Sequence, residues 1–333
     1  MSDSRVLRIG ILGAARIAPS AICIPALALS HKLVALGSRN LEKANLFADR
    51  WGIENVVDGY DDLINHPDID VVYNALPNSM HAKFNIAAMV AGKHVISEKP
   101  FASNFLEAKK VADVASSKGS KIIEAFHYRY HPAIMRAIEV AVSGEIGEIT
   151  KVTSALNIPA PSEEDLRWQF ELSGGAMMDL GCYSLHIQRH LSLSLFNSEL
   201  EVVSAQAREK KPNVDKFMSA VVSYANGAIG ELSCDMDYSH FVSPLRITGT
   251  KGEISLPSFV LPGVDDRVIV KSRVSERTEY LGNVSSYTWQ LAAFAEYVRG
   301  ADVLTGIDDA LANAEAIDNI YTAAGMQPRK SLD

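Results

Sequence analysis

Cysteine is scarce in this chain: 3 residues in 333, at Cys23, Cys182 and Cys234. They are far apart, odd in number and form no Cys-x-x-Cys pair, which argues against a disulfide framework and against a zinc site. Long apolar runs are missing too, and nothing approaches the ~18 residues needed to span a bilayer. No basic-then-apolar segment opens the sequence, since Met1 to Arg8 is polar. No signal peptide is therefore expected, and the expected location is cytoplasmic. Basic charge is in deficit, with 32 Lys+Arg against 40 Asp+Glu and a net charge of −8. A nucleic-acid partner, which needs a positive footprint, is not expected. There is no internal repeat and no low-complexity linker. What is present is a 47% hydrophobic chain long enough for two domains.

The first 125 residues alternate between short apolar runs and helical stretches. Strands are expected at Arg5 to Leu12, Lys32 to Gly37, Val71 to Leu76, His94 to Ser97 and Lys121 to Ala125. Between them lie a helix interrupted by Pro19 and Pro25, and helices at Asn40 to Trp51, Asp61 to Asn65, Ala82 to Ala91 and Leu106 to Ser117. This rhythm predicts βαβ units and a doubly wound parallel sheet. After Pro132 the texture changes. A helix at Ala133 to Ser143 precedes β-like runs at Ile149 to Asn157, Val202 to Ala207, Phe217 to Tyr224, Ala228 to Met236, Pro244 to Thr248 and Val268 to Arg273. Turns such as Asn226-Gly227 and Lys251-Gly252 punctuate them, as in an antiparallel sheet. Helices at Tyr287 to Val298 and Asp308 to Ala324 close the chain. The expectation is an α/β dinucleotide-binding domain over 1–125 and an α+β domain with a large, mostly antiparallel sheet over 126–333.

Gly13-Ala14-Ala15-Arg16-Ile17-Ala18 follows the first strand directly. A dinucleotide loop uses glycines for a tight turn and close approach of the pyrophosphate. Here Ala15 replaces the central glycine, so position after the strand carries more weight than the motif. About 20 residues on, an NAD site supplies an acid to the ribose hydroxyls. This chain has Gly37-Ser38-Arg39-Asn40 instead. An arginine suits a phosphate, and Ser38 adds a second donor. NADP is the expected cofactor, with NAD as the alternative.

His94 to Pro100 reads as a strand that ends by presenting Lys99 before a proline. A residue before proline is driven out of the helical region, so Lys99 projects from the strand's carboxyl end, where open α/β sheets bind ligands. Most lysines are solvated surface charges. This one gains weight from the glycine loop upstream and from Gly174-Gly175, Asp179 and Tyr183 downstream. Hydride transfer at a carbinol needs a group to take or give the hydroxyl proton. A lysine beside a cationic ring, its pKa lowered, or a tyrosine beside that lysine, meets the need. Asp179 and Tyr183 are four apart and share one face of a helix. His186 and His190 also share a face, at metal-ligand spacing. They read as core or surface histidines, because no carboxylate-rich shell accompanies them and the chemistry needs no metal.

The Gly13 loop, Asn78-Ser79-Met80-His81, Glu98-Lys99-Pro100, and Gly174-Gly175 through Asp179 and Tyr183 resemble the glucose–fructose oxidoreductase, inositol dehydrogenase and rhizopine-catabolism (Gfo/Idh/MocA) family. The resemblance covers essentially the whole chain. It implies a Rossmann domain and an open-faced sheet domain with the active site in the cleft between them. It implies a catalytic Lys99, and cofactor contacts at Leu76, Pro77, Asn78, His81 and Glu98. Tyr183 stands where inositol-type members carry histidine. That resembles the branch of glucose–fructose oxidoreductase, D-xylose dehydrogenases, trans-dihydrodiol dehydrogenases and sugar 3-ketoreductases. Glu124 to Pro132 resembles the same branch and implies substrate contacts at Tyr128 and Arg129, although His127 departs from its usual apolar residue or methionine. Arg167 and Trp168 match an Arg-Trp element that lies near the ligand there. The family also contains a galactose-responsive repressor that binds dinucleotide without turnover. Such proteins lose the catalytic lysine, whereas Lys99, Asp179 and Tyr183 are all present here.

The resulting expectation is an NADP-dependent oxidoreductase acting on a hydroxyl or ketone of a sugar or cyclic polyol. Dihydrodiol oxidation and nucleotide-sugar 3-ketoreduction are its alternatives. Family members commonly pair their open sheets, which implies a homodimer or a dimer of dimers built through the second domain.

Overall fold

The protein is described by a computed structural model that covers residues 6–331. Met1 to Arg5, including most of the polar leader and the first residue of the expected opening strand, lie outside the described residues. The chain forms two compact units. One holds residues up to His127 together with Tyr287–Leu311, and the other holds Tyr128–Ser286 and Ala312–Lys330.

In the first unit six strands run parallel in the order β3-β2-β1-β4-β5-β6. They are β1 (Arg8–Leu12), β2 (Lys32–Ser38), β3 (Asn55–Asp58), β4 (Val71–Asn74), β5 (His94–Ser97) and β6 (Ile122–Glu124). The central strands are buried almost end to end, as covered parallel strands must be. Strand order reverses between β1 and β4, and the crevice at the carboxyl ends there is where such sheets take ligands. The helical run expected around Pro19 and Pro25 is present, and it changes from a π-turn to an α-helix at Ile24-Pro25. Pro19 opens the π-turn Pro19–Cys23, where a missing N–H costs little, and Pro25 lies in the first turn of the helix Ile24–Ala28 that continues it. The short edge strand β3 was not expected.

Helix Ser286–Val298 also departs from expectation. Tyr287, Leu291, Phe294 and Ala295 pack into the first core with Ile9, Ile11, Val71, Tyr73 and Ile96. The sequence places this helix with the second domain. Its apolar face requires a core, but periodicity does not say which one.

The second unit carries eight strands in the order β14-β13-β12-β11-β7-β10-β9-β8. They are β7 (Ile149–Asn157), β8 (Glu201–Lys211), β9 (Val214–Ser223), β10 (Ile229–Asp235), β11 (Leu245–Gly249), β12 (Gly252–Leu256), β13 (Arg267–Ser272) and β14 (Glu276–Tyr280). All neighbours are antiparallel except β7 and β10. Helix Cys182–Phe196 packs on β7 and β10, and helix Pro132–Val142 on β12 and β13. Alternate residues such as Val152, Leu156, Leu232 and Cys234 are buried. The intervening set, Thr153, Ala155, Ser219, Val221, Glu231 and Ser233, lines a shallow cavity of about 450 Å³. The fold class expected from the sequence is the one observed. Among the described residues no helix is long and apolar enough to cross a membrane.

Candidate active site

All the expected cofactor residues belong to the first unit, at the carboxyl ends of four adjacent strands. Gly13, Ala14, Ala15, Arg16 and Ile17 leave β1, Ser38 and Arg39 end β2, Leu76, Pro77, Asn78 and His81 follow β4, and Glu98 and Lys99 follow β5. Gly13 adopts φ +85°, and a Cβ there would stand 3.2 Å from a Leu76 methyl. Its N–H donates to Gly37 O at 2.9 Å, binding the loop to the tip of β2. This is the shape that lets a backbone loop lie close to a pyrophosphate. At the β2 tip the Ser38 hydroxyl is within hydrogen-bond distance of both the Asn40 carbonyl (3.2 Å) and the Asn40 N–H (3.1 Å). Ser38 therefore shapes the turn. Arg39 is exposed, its guanidinium 5.9 Å from the centre of the Tyr60 ring. Among the described residues no acid stands on the β2 tip itself, where Ser38 and Arg39 are followed by Asn40, and a serine–arginine pair there suits a phosphate-bearing dinucleotide.

The turn bearing Lys99 is fixed from three sides. Glu98 N–H donates to Asn74 O at 2.9 Å, Phe101 N–H to Glu124 Oε1 at 2.8 Å, and Pro100 O lies 2.7 Å from His81 Nδ1. The peptide between Lys99 and Pro100 is cis. His81 Nε2 lies 2.8 Å from Leu76 O, so this buried ring spans the β4 and β5 loops. Burial, helped by the Lys99 charge, pushes its pKa down to about 4 against the pull of the two carbonyls. A neutral imidazole carries a single N–H, so at neutral pH the ring donates to one of the two carbonyls and only packs against the other. Glu98 is buried and accepts from Tyr73 Oη at 2.7 Å. Below it Asn74 donates to Asn85 Oδ1 at 2.8 Å, and Asn85 to Ser97 Oγ at 2.8 Å. Lys99 itself is half-buried. His127, the departure noted in the sequence, stacks on Tyr287 with ring centroids 3.7 Å apart.

In the second unit Asp179 lies on a π-turn, Met177–Gly181, that feeds helix Cys182–Phe196. The expected uniform α-helical face is thus replaced by a widened turn, a distortion common at functional sites. Arg167 Nε donates to Asp179 Oδ2 at 2.6 Å and Arg167 Nη1 to Asp165 Oδ1 at 3.2 Å. The Asp179 charge, ahead of Asp165, raises the Arg167 pKa against the effect of burial. Trp168 is buried and donates to Pro161 O at 3.4 Å. Tyr183 is buried, with its ring centroid 5.8 Å from that of Tyr128.

Gly174 and Gly175 are required by close packing against protein. A Cβ on Gly174 would meet the backbone of Arg167 and Gln169 at 2.4 to 2.8 Å, and one on Gly175, at φ +125°, would strike Asp215 and Arg329. The pair is packed against protein. Asp215 accepts from Met177 N–H at 2.6 Å, Arg329 Nη2 at 2.6 Å and Tyr321 Oη at 2.9 Å, while Arg329 Nε donates to Gly174 O at 2.7 Å. This buried clamp sets the start of the turn that carries Asp179. Sequence reasoning missed it, since Asp215 and Arg329 are 114 residues apart and match no motif.

His186 and His190, read in the sequence as core or surface histidines, belong to the core. Both are buried. Tyr128 Oη lies 2.6 Å from His186 Nδ1, His186 Nε2 lies 3.1 Å from His190 Nε2, and Arg129 Nε donates to His190 Nδ1 at 3.1 Å. Tyr128 and Arg129, expected to touch substrate, are thus buried members of this chain of bonds.

Residues 7–126 match the family described as the oxidoreductase family with an NAD-binding Rossmann fold. Residues 134–255 match the GFO/IDH/MocA C-terminal domain. The chain is 32% identical to a dTDP-3,4-didehydro-2,6-dideoxy-alpha-D-glucose 3-reductase of Streptomyces violaceoruber, over 97% of this chain and 96% of that one. It is 31% identical to a D-xylose 1-dehydrogenase (NADP(+)) of Haloferax volcanii, over 97% of this chain and 99% of the relative. A solved 3-ketoreductase from Actinomadura kijaniata, in complex with NADP and TDP-benzene, superposes with a TM-score of 0.86 at 26% identity. That match covers 96% of this chain and 98% of the other.

Proposed function

The chain belongs to the Gfo/Idh/MocA oxidoreductase family, and on that premise we propose that it is an NADP-dependent enzyme. It transfers a hydride between nicotinamide and a hydroxyl or ketone carbon of a sugar or related cyclic polyol. The observation that carries the reading is the shared edge of the first sheet. The Gly13 loop, Arg39 and Lys99 all stand at the carboxyl ends of neighbouring strands.

NADP, when bound, supplies the hydride acceptor, and its reduced form the donor. The protein does the rest. As the carbinol C–H bond breaks and its electron pair leaves as hydride, the hydroxyl proton goes to a base; reduction runs both transfers backwards. Lys99 Nζ and Tyr183 Oη are the two groups suited to hold that proton. Asp179, fixed by Arg167, orients the reacting hydroxyl. The loop from Gly13 to Ile17 holds the pyrophosphate, Arg39 the ribose phosphate, and Leu76, Pro77, Asn78 and Glu98 line the nicotinamide side.

The reductase of Streptomyces violaceoruber, 32% identical over nearly the full length, supports a second reading in which the substrate is a nucleotide-linked keto sugar. NADPH oxidation and NADP reduction across pentoses, hexoses, dTDP-linked keto sugars and dihydrodiols separate the two. Turnover with none of these, with NADP bound, sinks the catalytic reading and favours a dinucleotide-binding regulator. We also propose a cytoplasmic homodimer or dimer of dimers paired through the open sheet face around Thr153, Ser219 and Glu231. Thr153, Ala155, Ser219 and Ser233 on that face have short side chains, which suits a self-complementary packing. A mass near 36.2 kDa by light scattering at micromolar concentration counts against it.

A further inference from the structure

Arg39 rests on a neighbour that no motif singles out. Its guanidinium carbon lies over the Tyr60 ring, 5.9 Å from the centroid. Tyr60 caps the short helix Asp61–Ile64 just past β3, and the turn before it is fastened to the tip of β2. Ser38 pairs with Asp58 across the two strands, and Gly59 N–H donates to Ser38 O at 3.1 Å. Gly37 has no room for a side chain, since a Cβ there would stand 2.7 Å from Gly59 O. Gly59 itself takes φ +92°, a turn that glycine adopts without steric cost. The backbone carrying Tyr60 is thus joined to the residue before Arg39. The Tyr60 ring also meets the buried Phe84 edge-on, with centroids 5.0 Å apart and planes at 79°. The ring is held at its backbone and at its edge, whereas Arg39 is exposed.

We infer that Tyr60 is a positioning residue for Arg39 and, through it, a determinant of the preference for NADP over NAD. A free arginine samples many rotamers, and ordering it on a phosphate lowers affinity. An aromatic platform restricts the side chain before the ligand arrives. It leaves the recognition chemistry intact, because a ring engages the face of a guanidinium while the N–H donors that fork onto a phosphate lie in its plane. NAD lacks the ribose phosphate and gains nothing from the arrangement. The inference rests on the NADP reading above and names the residue that makes the arginine effective there.

Titration of the full-length protein with NADPH and with NADH, followed by cofactor fluorescence, tests it. Tyr60→Leu should weaken NADPH about two- to fivefold, the scale of one exposed cation–π pair, with NADH unchanged. Tyr60→Phe keeps the ring and should match the wild type. In an Arg39→Ala background Tyr60→Leu should have no further effect. Equal weakening of both cofactors makes Tyr60 a general support and overturns the inference. A Tyr60→Leu loss that persists without Arg39 overturns it too, as does unchanged NADPH binding in Tyr60→Leu. The wild type gives a readout that needs no variant. The Arg39 δ protons should resonate upfield of their random-coil positions, shielded by the ring, and random-coil positions refute the pair. Failure of the NADP reading looks different: the wild type would prefer NADH, or Arg39→Ala would weaken both cofactors alike.

Discussion

Arg329→Met tests how the second unit holds Asp179 in place. Arg329 is fully buried and satisfies two partners at once, Asp215 through Nη2 and Gly174 O through Nε. Its guanidinium also lies 4.2 Å from the centre of the Tyr321 ring. Methionine fills much of the volume but abandons a carboxylate that is itself 0% exposed. Breaking a buried ion pair from one side costs about 3–5 kcal/mol, because the remaining charge stays desolvated. In a unit of this size each kcal/mol lowers Tm by about 2–4 °C, so the variant should melt about 6–20 °C below the wild type. Arg329→Lys keeps the charge but reaches only one of the two partners. Loss of one charged hydrogen bond is worth about 1.5–3 kcal/mol, which places it between wild type and Arg329→Met. Differential scanning calorimetry supplies the Tm values. Turnover measured well below both transitions supplies the second readout, since Asp215 also accepts the Met177 N–H at the head of the Asp179 turn. Arg329→Met should lose activity while still folded. A melting point within about 2 °C of wild type would show that the pair contributes little, against the 3–5 kcal/mol expected.

The first sheet was readable because its buried parallel strands centre on short apolar runs, such as Val71-Val72-Tyr73 and Val95-Ile96. Strand β3 was not, since its four residues are only half-buried at an edge. Strand β14, Glu-Arg-Thr-Glu-Tyr, alternates between exposed and half-buried positions on the opposite edge of the second sheet and carries no apolar signal. The parallel pairing of β7 with β10 joins Ile229 to Lys151 across a long insertion, and no local pattern encodes it. At the site, the glycine loop and Lys99 are local motifs and were legible. The reason for Gly174-Gly175 was not, because the groups that exclude a side chain there, Asp215 and Arg329, come from distant segments. His186 and His190 were visible as an i,i+4 pair. What separates them from ordinary core histidines is Arg129, on another segment, and spacing alone cannot announce it.

Three further variants address the proposed chemistry. Lys99→Met should lower turnover about 10²- to 10⁴-fold, the scale of a general acid/base group, while NADP binding measured by fluorescence titration persists; near-normal turnover removes Lys99 from the proton path. Tyr183→Phe keeps the buried ring and removes the hydroxyl, so kcat should fall with little change in Tm, and unfolding with intact specific activity in the surviving protein assigns Tyr183 to the core instead. Arg39→Ala removes an exposed guanidinium whose contact in the fold is with the Tyr60 ring, an exposed cation–π pair of about 0.5–1 kcal/mol, so stability should fall little. A charge-assisted bond of about 1.5–3 kcal/mol then predicts NADP binding weaker by about 10- to 150-fold with NAD almost unaffected, and equal losses for both cofactors, or a wild type that prefers NAD, would move the ribose phosphate away from the tip of β2.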